Sequence, residues 1–573
     1  DDSSILPLNK HDGLVMSVIN KVTGKILLTR TFQTWSPYTH AQDLVWWLER
    51  VQAGGLVVLI VKRSGTYGLG AALPTLRKLG SLLVDHTPPR SLWLWVFVKG
   101  GPTIMESIQT ISFQWPISLH THLLYAKEAK MNTDITKTLH SVQNTFCNNH
   151  ASMGNICNYN RKKLVPLHFN KSNTDFGVVI SAGGRVQYLA NAIEHLLQCP
   201  ELTIDNIFAA ISIDFKSGIP DSSTISLLEL YGIRYRVVTS PSDTPTINHR
   251  LFQFYRGVWR VAIEIFPQSR YLVFLDEDVT VSKNWMSTLL HAAQALEADA
   301  SLWCISGTGT PHPGINDPTL LLRGDMQPGW GYLVRADDVH LAAESWPDDS
   351  NDSVIAKRYL QLKIGHGREC IYPAMGRSQH FGVGVNTIDY LHQRYFLDPP
   401  FYDGPPVQLT PIHQLINDSY EIRVETQIKS ATPITQDPCT KDFLQFPLPG
   451  SSLDFVFFFR LISADTLKWS CWQLLAECVG AWPYGTDRNH NYMWELPQSW
   501  GGTLWLVGVP ASPYSKYMSR GYPLWPPLEN LEKYIDKQDE FFQSLIPKPD
   551  IRKASGIYSN LFSISNKTLF YSN

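Results

Sequence analysis

The chain has 573 residues, which predicts about three to four domains of roughly 150 residues each. Its apolar share of 44% and its charged share of 17% exclude a chain that is mainly disordered. With 49 basic and 51 acidic side chains the net charge is −2, which excludes a broad electrostatic surface for nucleic acid.

The first part of the chain is predicted to form a compact α/β unit. Apolar periodicity predicts strands at Gly13–Asn20, Lys25–Arg30, Gly55–Val61 and Leu92–Val98, and helices at Ala41–Val51 and Ala71–Leu79. We therefore assign residues 1–104 to a smaller α/β domain. Residues 105–173 are assigned to a linker in which Cys147 and Cys157 close a short loop.

From Phe176 onward, strands alternate with helices. Strands are predicted at Gly177–Ser181, Ile207–Ile213, Tyr235–Thr239, Tyr271–Leu275 and Leu302–Ser306, and helices at Gln187–Gln198, Ser223–Tyr231, Leu251–Ile265 and Trp285–Leu296. This succession predicts a mostly parallel sheet with ligands at the carboxyl ends of its strands. We assign residues 174–430 to this domain and residues 431–573 to a C-terminal segment that packs on it.

Three carboxylates directly follow an apolar strand, in Tyr271-Leu-Val-Phe-Leu-Asp-Glu-Asp278. Ionised carboxylates crowded at a strand end repel one another unless a cation lies among them. Oxygen ligands of this kind suit Mn²⁺ or Mg²⁺ shared with a diphosphate. The alternative is a solvated acidic turn.

Three more polar residues are candidates for contacts with a nucleotide. Asp214 ends a strand, where a carboxylate can accept a hydrogen bond from a base or ribose, although a helix cap or turn is the alternative. Arg185 follows Gly183-Gly184, where a guanidinium can reach a phosphate, and the alternative is a surface arginine. His249 precedes an apolar helix and is either a ligand contact or a structural histidine.

The cysteines and the chain start favour the lumen of the secretory pathway. Eight widely spaced cysteines without a CxxC pair disfavour a zinc ribbon and allow disulfides. Glycosylation sequons occur at Asn170, Asn351, Asn417 and Asn566. No apolar run reaches about 18 residues, so no membrane span is visible. Because the chain starts at Asp1 without a methionine, we expect a processed or truncated chain whose leader or anchor has been removed.

Several motifs occur in an order that resembles one family. They are Asn248-His-Arg-Leu-Phe-Gln-Phe-Tyr255, Leu275-Asp-Glu-Asp-Val279, Ser301-Leu-Trp-Cys-Ile-Ser306, Pro328-Gly-Trp-Gly331 and Arg368-Glu-Cys-Ile-Tyr-Pro373. This order resembles the β-1,2-N-acetylglucosaminyltransferases, most closely those that act on O-linked mannose. Thr31-Phe-Gln-Thr-Trp-Ser-Pro37 and Val507-Gly-Val-Pro-Ala-Ser-Pro-Tyr-Ser515 extend the resemblance to both ends of the chain.

The resemblance implies a GT-A-type nucleotide-sugar-binding domain, Mn²⁺ and the donor UDP-N-acetylglucosamine. By position, Asp278 would ligate the metal, and Asp276 and Glu277 would lie near the ribose. Asp214 and His249 would hold the uracil, and Arg185 would hold a phosphate. The family also implies disulfides Cys304–Cys370, Cys147–Cys157 and Cys439–Cys478, while Cys199 and Cys471 stay unassigned.

The acceptor side departs from the family. A Trp-Asp-x-Trp motif that supplies the family's general base is absent between Trp346-Pro347 and Arg368-Glu369-Cys370, and Ala356 stands where the base is expected. Asp352 is our first candidate for a replacement base because it lies one helical turn from Ala356 if the segment is helical. Asp349 and Asp348 are further candidates. The alternative is that all three acids lie in an exposed loop without a catalytic role. Asn351 begins a glycosylation sequon in the same segment.

The first domain resembles the sugar-binding stem domain of the same enzymes. Arg30 occupies the position of a sugar-contacting arginine of that domain, and the alternative is a solvated arginine at a strand edge. A neighbouring acidic position is Arg63-Ser64 here, so glycan binding by the stem is expected to be altered or lost.

Two functions follow from these patterns. The first is an inverting transferase that moves N-acetylglucosamine to the 2-hydroxyl of mannose on O-mannosyl glycoproteins in the Golgi lumen, or as a secreted protein. Its partners would be glycan or glycoprotein acceptors, with no nucleic acid, and with membrane attachment only through an anchor outside this chain. The alternative is a catalytically inactive relative that binds glycans or protein partners, which the missing base motif favours.

Overall fold

The structure is a computed structural model, and it describes residues 13–110, 175–346, 365–380 and 400–527 except for short gaps. The gaps are 21–23, 35–40, 67, 85–86, 88–90, 101–102, 215–216, 240–246, 310–316, 326–329, 366, 441–442, 444–451, 462–469, 480, 482–488 and 499. Cys147, Cys157, Asn170 and Asn566 therefore lie outside the described residues.

The first domain is a five-stranded antiparallel sheet covered by a helix. Its elements are β1 (Gly13–Ile19), β2 (Ile26–Phe32), α1 (Ala41–Arg50), β3 (Leu56–Lys62), α2 (Leu73–Lys78), β4 (Ser91–Val98) and β5 (Thr103–Thr110). The strand order is β2-β1-β3-β4-β5. Helix α1 buries Ala41, Leu44 and Leu48. Their spacing of three and four residues is typical of the apolar face of an amphipathic helix that packs on a core.

Two details of this domain differ from the sequence prediction. The helix predicted over 71–79 begins as a 3-10 turn, Gly70–Ala72, before α2, which has a proline in its first turn. The unit predicted to end at residue 104 continues through β5, because β4 pairs with β5 along its whole length. Only parts of β5 are apolar, so it carried little strand signal.

The central domain contains a mixed eight-stranded sheet. Its elements are β6 (Phe176–Ala182), α3 (Val186–Leu196), β7 (Ile207–Ser212), α4 (Ser222–Tyr231), β8 (Arg234–Val238), α5 (Ile247–Ile265), β9 (Tyr271–Asp276), β10 (Val279–Val281), α6 (Trp285–Ala298), β11 (Leu302–Ser306), β12 (Leu321–Gly324), β13 (Tyr332–Arg335), α7 (Ala336–Glu344), β14 (Glu369–Pro373) and β15 (Ser378–His380). The order is β12-β14-β11-β13-β9-β6-β7-β8, and β10 pairs separately with β15.

The strands of this sheet that the sequence predicted all run in the same direction. Strands β8, β7, β6 and β9 are parallel neighbours, whereas β13 runs antiparallel between β9 and β11. The prediction of a mostly parallel sheet is therefore confirmed, because β11 and β14 run in the same direction as these four strands and only β12 and β13 run against them. These two strands have four residues each and are too short to give a periodic signal in the sequence.

The C-terminal part, predicted as a segment that packs on the central domain, has a sheet and hydrophobic cores of its own. It comprises α8 (Asn417–Ser430), β16 (Thr432–Pro433), β17 (Phe455–Leu461), α9 (Ser470–Val479), β18 (Met493–Pro497) and β19 (Thr503–Pro510), with the strand order β16-β17-β19-β18. Tyr420, Val424 and Ile428 of α8 pack against β17 and β19, so α8 shares the core of this sheet although it precedes residue 431.

Two of the three disulfides implied by the family resemblance are confirmed. Cys304–Cys370 joins the parallel neighbours β11 and β14, and Cys439–Cys478 closes the C-terminal domain. Cys199 and Cys471 are buried thiols. Within the described ranges, no helix combines the length and hydropathy needed to cross a bilayer.

Candidate functional site

The carboxyl ends of β6 and β9 meet at one edge of the central sheet. These strands are parallel neighbours, and Ser181 at the end of β6 pairs in register with Asp276 at the end of β9. The loop Gly183-Gly184-Arg185 therefore lies beside the acidic triplet Asp276-Glu277-Asp278. Ligands bind at such an edge in open α/β sheets, which makes it the candidate site.

Arg185 contacts two of the three acids. Its Nε lies 2.8 Å from Glu277 Oε1, and its second guanidinium nitrogen lies 2.8 Å from Asp278 Oδ2. The backbone N–H of Gly183 donates to Glu277 Oε2 at 2.7 Å. A Cβ on Gly183 would lie 3.4 Å from Glu277 Oε1, so the loop approaches this carboxylate closely. The structure thus brings together three of the predicted site residues, Arg185, Glu277 and Asp278, and their roles toward a ligand stay predictions.

His380 is a member of this site that the sequence analysis did not find. Strand β15 pairs with β10 so that His380 lies opposite Val279. Its Nε2 is 3.2 Å from Asp278 Oδ2, and Trp330 stacks on its ring with the centroids 4.8 Å apart. Only long-range pairing of two three-residue strands places His380 here, and no local pattern in the sequence marks it.

Burial and the neighbouring basic side chains shift the pKa values of Asp278 and Glu277 in opposite directions. Burial by itself would raise the pKa of Asp278, but His380 and Arg185 hold it well below its usual range. Burial raises the pKa of Glu277, although Arg185 and the Gly183 N–H oppose the effect. Burial lowers the pKa of Arg185, but the carboxylates of Asp278 and Glu277 raise it by more, so the pKa lies above its usual value. Asp278 is therefore ionised at neutral pH, as a ligand for a cation must be.

Asp276 is bound from another element. Tyr255, on α5, donates to Asp276 Oδ1 at 2.9 Å. Burial raises the pKa of Tyr255 well above its usual value, and Asp276 raises it further, so the phenol keeps its proton and remains a donor. This contact joins α5 to the end of β9.

The two residues expected to hold the uracil lie on neighbouring elements. Asp214 is exposed two residues beyond β7, where its Oδ1 accepts from the Ser217 N–H at 2.8 Å and from the Ser217 hydroxyl at 3.0 Å. His249 lies inside the first turn of α5, which begins at Ile247 and not at Leu251 as predicted. His249 precedes Tyr255 by six residues, roughly 9 Å along the helix axis. Asp214 thus follows the carboxyl end of β7, the strand beside β6, and His249 lies on the helix that carries Tyr255.

The structure describes the stem arginine, Arg30, but not the three candidate bases. Asp348, Asp349 and Asp352 lie outside the described residues, so their roles stay predictions. Trp346, which precedes them, is buried against Phe252. Arg30 is exposed on the edge strand β2, and its guanidinium lies 4.7 Å from the centroid of Trp47.

The acids at this edge fit a single-carboxylate divalent cation site. Both ion pairs of Asp278 use Oδ2, which leaves Oδ1 as the oxygen available to a cation. In the part of the chain that the structure describes, no group of three or more His, Cys, Asp or Glu side chains is arranged to enclose a metal. Hard cations bound through one or two carboxylates complete their shell with water and substrate phosphates, so an enclosed cluster is not required.

Two family models match this chain. The GNT-I family matches residues 117–438, more than half of the chain, and a family described as interleukin-like EMT inducer matches residues 12–101. An alpha-1,3-mannosyl-glycoprotein 2-beta-N-acetylglucosaminyltransferase from Arabidopsis thaliana is 24% identical over 258 residues, which cover 43% of this chain and 55% of that protein. The chain thus spans about half the length of this curated relative.

Two solved structures resemble the chain only distantly. The mannosyltransferase PcManGT from Pyrobaculum calidifontis, in complex with GDP-Man and Mn²⁺, has 12% identity and a TM-score of 0.23, covering 41% of this chain and 66% of that chain. S. aureus TarS 1–349, in complex with UDP, has 12% identity and a TM-score of 0.25, covering 35% of this chain and 57% of that chain. Neither likeness carries an argument at these scores. The GNT-I match and the strand order together confirm the predicted GT-A-type domain preceded by a smaller α/β domain.

Proposed function

The chain belongs to the GNT-I family, and from this premise we propose that it is an inverting glycosyltransferase that uses UDP-N-acetylglucosamine. The observation that carries the proposal is the joint contact of Arg185 with Glu277 and Asp278 at the ends of β6 and β9. An arginine and ionised acids at one sheet edge suit a diphosphate and a divalent cation, respectively.

The donor site uses the residues that the resemblance assigned. Asp278 would hold Mn²⁺, and His380 and Arg185 fix its carboxylate from the Oδ2 side. Arg185, whose side chain is 26% exposed, retains access to a phosphate. Asp276 and Glu277 would contact the ribose, and Asp214 and His249 would contact the uracil. When bound, the divalent cation supplies positive charge for the departing diphosphate.

The acceptor is proposed to be the 2-hydroxyl of mannose on an O-mannosyl glycoprotein, as in the protein O-linked-mannose β-1,2-N-acetylglucosaminyltransferases. The Arabidopsis relative supports transfer to position 2 of a mannosyl glycoprotein through its name. Asp352 is our first candidate to accept the proton of that hydroxyl, followed by Asp349. The two disulfides support a compartment in the secretory pathway, for which we propose the Golgi lumen.

A second candidate function is glycan or partner binding without catalysis. It is favoured by the segment between Trp346 and Arg368, which has no Trp-Asp-x-Trp motif and carries a sequon at Asn351. Both functions predict donor binding, and only the first predicts transfer, so one assay separates them.

Transfer is tested by incubating the protein with UDP-N-acetylglucosamine, Mn²⁺ and a mannosyl peptide, with a parallel sample that lacks the peptide. We expect a β-1,2-linked product that depends on the peptide and on Mn²⁺. Asp352→Asn should lower kcat by about 10²–10⁴-fold while UDP binding persists, because a general base contributes on that order. This change keeps the Asn351 sequon. UDP binding without any transfer would favour the second function.

A further inference from the structure

Tyr188 lies between the candidate donor site and the first domain. It is in the first turn of α3, three residues after Arg185, and its N–H donates to the Arg185 carbonyl at 3.0 Å. Its ring packs against the hydrophobic core of the first domain, although Tyr188 belongs to the central domain. One side chain therefore contacts both domains.

In the first domain, Tyr188 contacts a backbone segment that several hydrogen bonds hold in place. The Tyr188 hydroxyl donates to the Leu82 carbonyl at 3.2 Å. The Leu82 N–H in turn donates to Glu106 Oε2 at 2.6 Å, and Glu106 also accepts from the Ser81 hydroxyl and from Trp93 Nε1. Leu82 and Glu106 are both buried. These bonds anchor the residue that Tyr188 contacts within the first domain.

On the donor side, the tyrosine supports the guanidinium that faces the acids. The Cζ atom of Arg185 lies 5.2 Å from the centroid of the Tyr188 ring. The same guanidinium forms the ion pairs with Glu277 and Asp278. A ring at this distance attracts the cation and limits the positions that it can adopt.

We propose that Tyr188 is a positioning residue through which docking of the first domain sets the affinity of the donor site for a nucleoside diphosphate. The inference rests on the proposed role of Arg185 as the phosphate contact. It gives the first domain a function in donor binding that is independent of any sugar bound at Arg30.

Two substitutions separate the hydroxyl from the ring, and UDP is the probe. Tyr188→Phe keeps the ring beneath Arg185 and removes the bond to Leu82, so we expect about 2–5-fold weaker UDP binding, the loss typical of one hydrogen bond. Tyr188→Leu also removes the aromatic face, and we expect about tenfold weaker binding. Both are measured by isothermal titration calorimetry on the full chain with Mn²⁺ present.

Tyr231→Phe is the matched control. The Tyr231 hydroxyl donates to Glu194, which lies on α3 near the end of that helix opposite to Arg185. Its loss should lower the melting temperature and leave UDP affinity unchanged. Equal UDP affinity in wild type, Tyr188→Phe and Tyr188→Leu would overturn the coupling.

Hydrogen exchange supplies a readout that a purely structural role would not change. Coupling between two sites is reciprocal, so UDP binding should slow amide exchange in the peptide that spans Ser81–Val84. The slowing should be smaller in Tyr188→Leu and unchanged in Tyr231→Phe. If wild type binds UDP with no change in this peptide, the coupling is wrong while the proposed function stands. If wild type does not bind UDP, both the proposed function and this inference are wrong.

Discussion

Two clusters of charged side chains on the central sheet use the same residue types for different purposes. The donor-edge cluster consists of Arg185, Glu277, Asp278 and His380. The interior cluster consists of Asp299, Arg323, Glu369, Glu421 and His490, and it joins the central sheet to the C-terminal domain. Each contains an arginine, a histidine and several acids, so residue type does not distinguish a ligand site from a structural one.

The difference lies in how completely each arginine is enclosed. Arg323 has a 1% exposed side chain, and all three of its nitrogens are used. They donate to Asp299 Oδ2, Leu415 O, Glu369 Oε2 and Ser301 Oγ at 2.6–2.9 Å. Arg185 is 26% exposed, and one oxygen of Asp278 is left for a cation. The comparison teaches that the enclosure of the arginine, and not residue type, distinguishes the two clusters, and ligand binding is proposed only for the less enclosed one.

Breaking the interior cluster should have the largest effect on stability. Arg323→Leu leaves the buried Asp299 without its cation and leaves Glu369 paired only with His490, which costs about 3–5 kcal/mol of unfolding free energy. Urea denaturation of the full chain measures the loss, and UDP affinity of the folded protein should not change.

Arg236→Leu is the control for this substitution. Arg236 pairs with Glu264 on the surface, where their side chains are 46% and 59% exposed, and such pairs contribute about 0–1 kcal/mol. A loss at Arg323 no greater than at Arg236 would mean that the interior cluster does not hold the two domains together.

The same cluster should make stability fall at alkaline pH. Burial would lower the pKa of His490, but Glu369 and Glu421 raise it from its usual 6.5 to about 9. Because the folded pKa is raised, the stabilisation is complete below pH 6.5 and is lost as pH rises through about 9. We expect a decline on the order of 3 kcal/mol over that window.

Thermal melts of wild type and His490→Gln from pH 6 to 9.5 check this expectation. The substitution removes the titrating group, so its stability should be lower at pH 6 and nearly flat across the window. Parallel curves for the two proteins would exclude His490 as the source of the decline.

Glu106 in the first domain, a buried acid that accepts hydrogen bonds from uncharged donors, should have a smaller effect on stability. Burial raises its pKa from 4.5 to about 7, although Ser81, Leu82 and Trp93 donate to it. Because the folded pKa is raised, stability is highest below pH 4.5 and declines as pH rises to about 7.

We expect a local loss of about 1–3 kcal/mol, seen as faster amide exchange in β4 and β5 at pH 7.5 than at pH 5 after correction for intrinsic rates. Glu106→Gln should remove this difference, since a neutral amide resembles the protonated acid. A wild-type exchange profile independent of pH would contradict the assignment.

The sequence predicted the donor side of the molecule better than the rest because its signals are local. Strands β6, β7 and β9 are apolar runs that end in glycine or acid, and Arg185, Glu277 and Asp278 follow those runs directly. Their convergence follows from parallel pairing, which the alternation of strands and helices implies.

What the sequence missed depends on contacts between distant segments. His380, on β15, contacts Asp278, and Tyr255, on α5, donates a hydrogen bond to Asp276. The positions of His380 and Tyr255 in the sequence do not indicate that either residue belongs to a site. The interior cluster joins residues from Asp299 to His490, and no pattern within a short window reveals it. The C-terminal sheet was missed for the same reason, since β16 has only two residues and β18 only five.

Calorimetric titration of UDP into wild type, Asp278→Asn and Asp205→Asn tests the central claim most directly. Asp205 is an exposed acid at the amino end of β7, the opposite edge of the sheet, so it controls for loss of one carboxylate. We predict that wild type and Asp205→Asn bind UDP only when Mn²⁺ is present. Asp278→Asn should bind about 100-fold more weakly, and its melting temperature should fall while the variant stays folded, because Arg185 and His380 lose their ionised partner. Equal UDP affinity in wild type and Asp278→Asn, both with Mn²⁺ and with a chelator, would contradict the account.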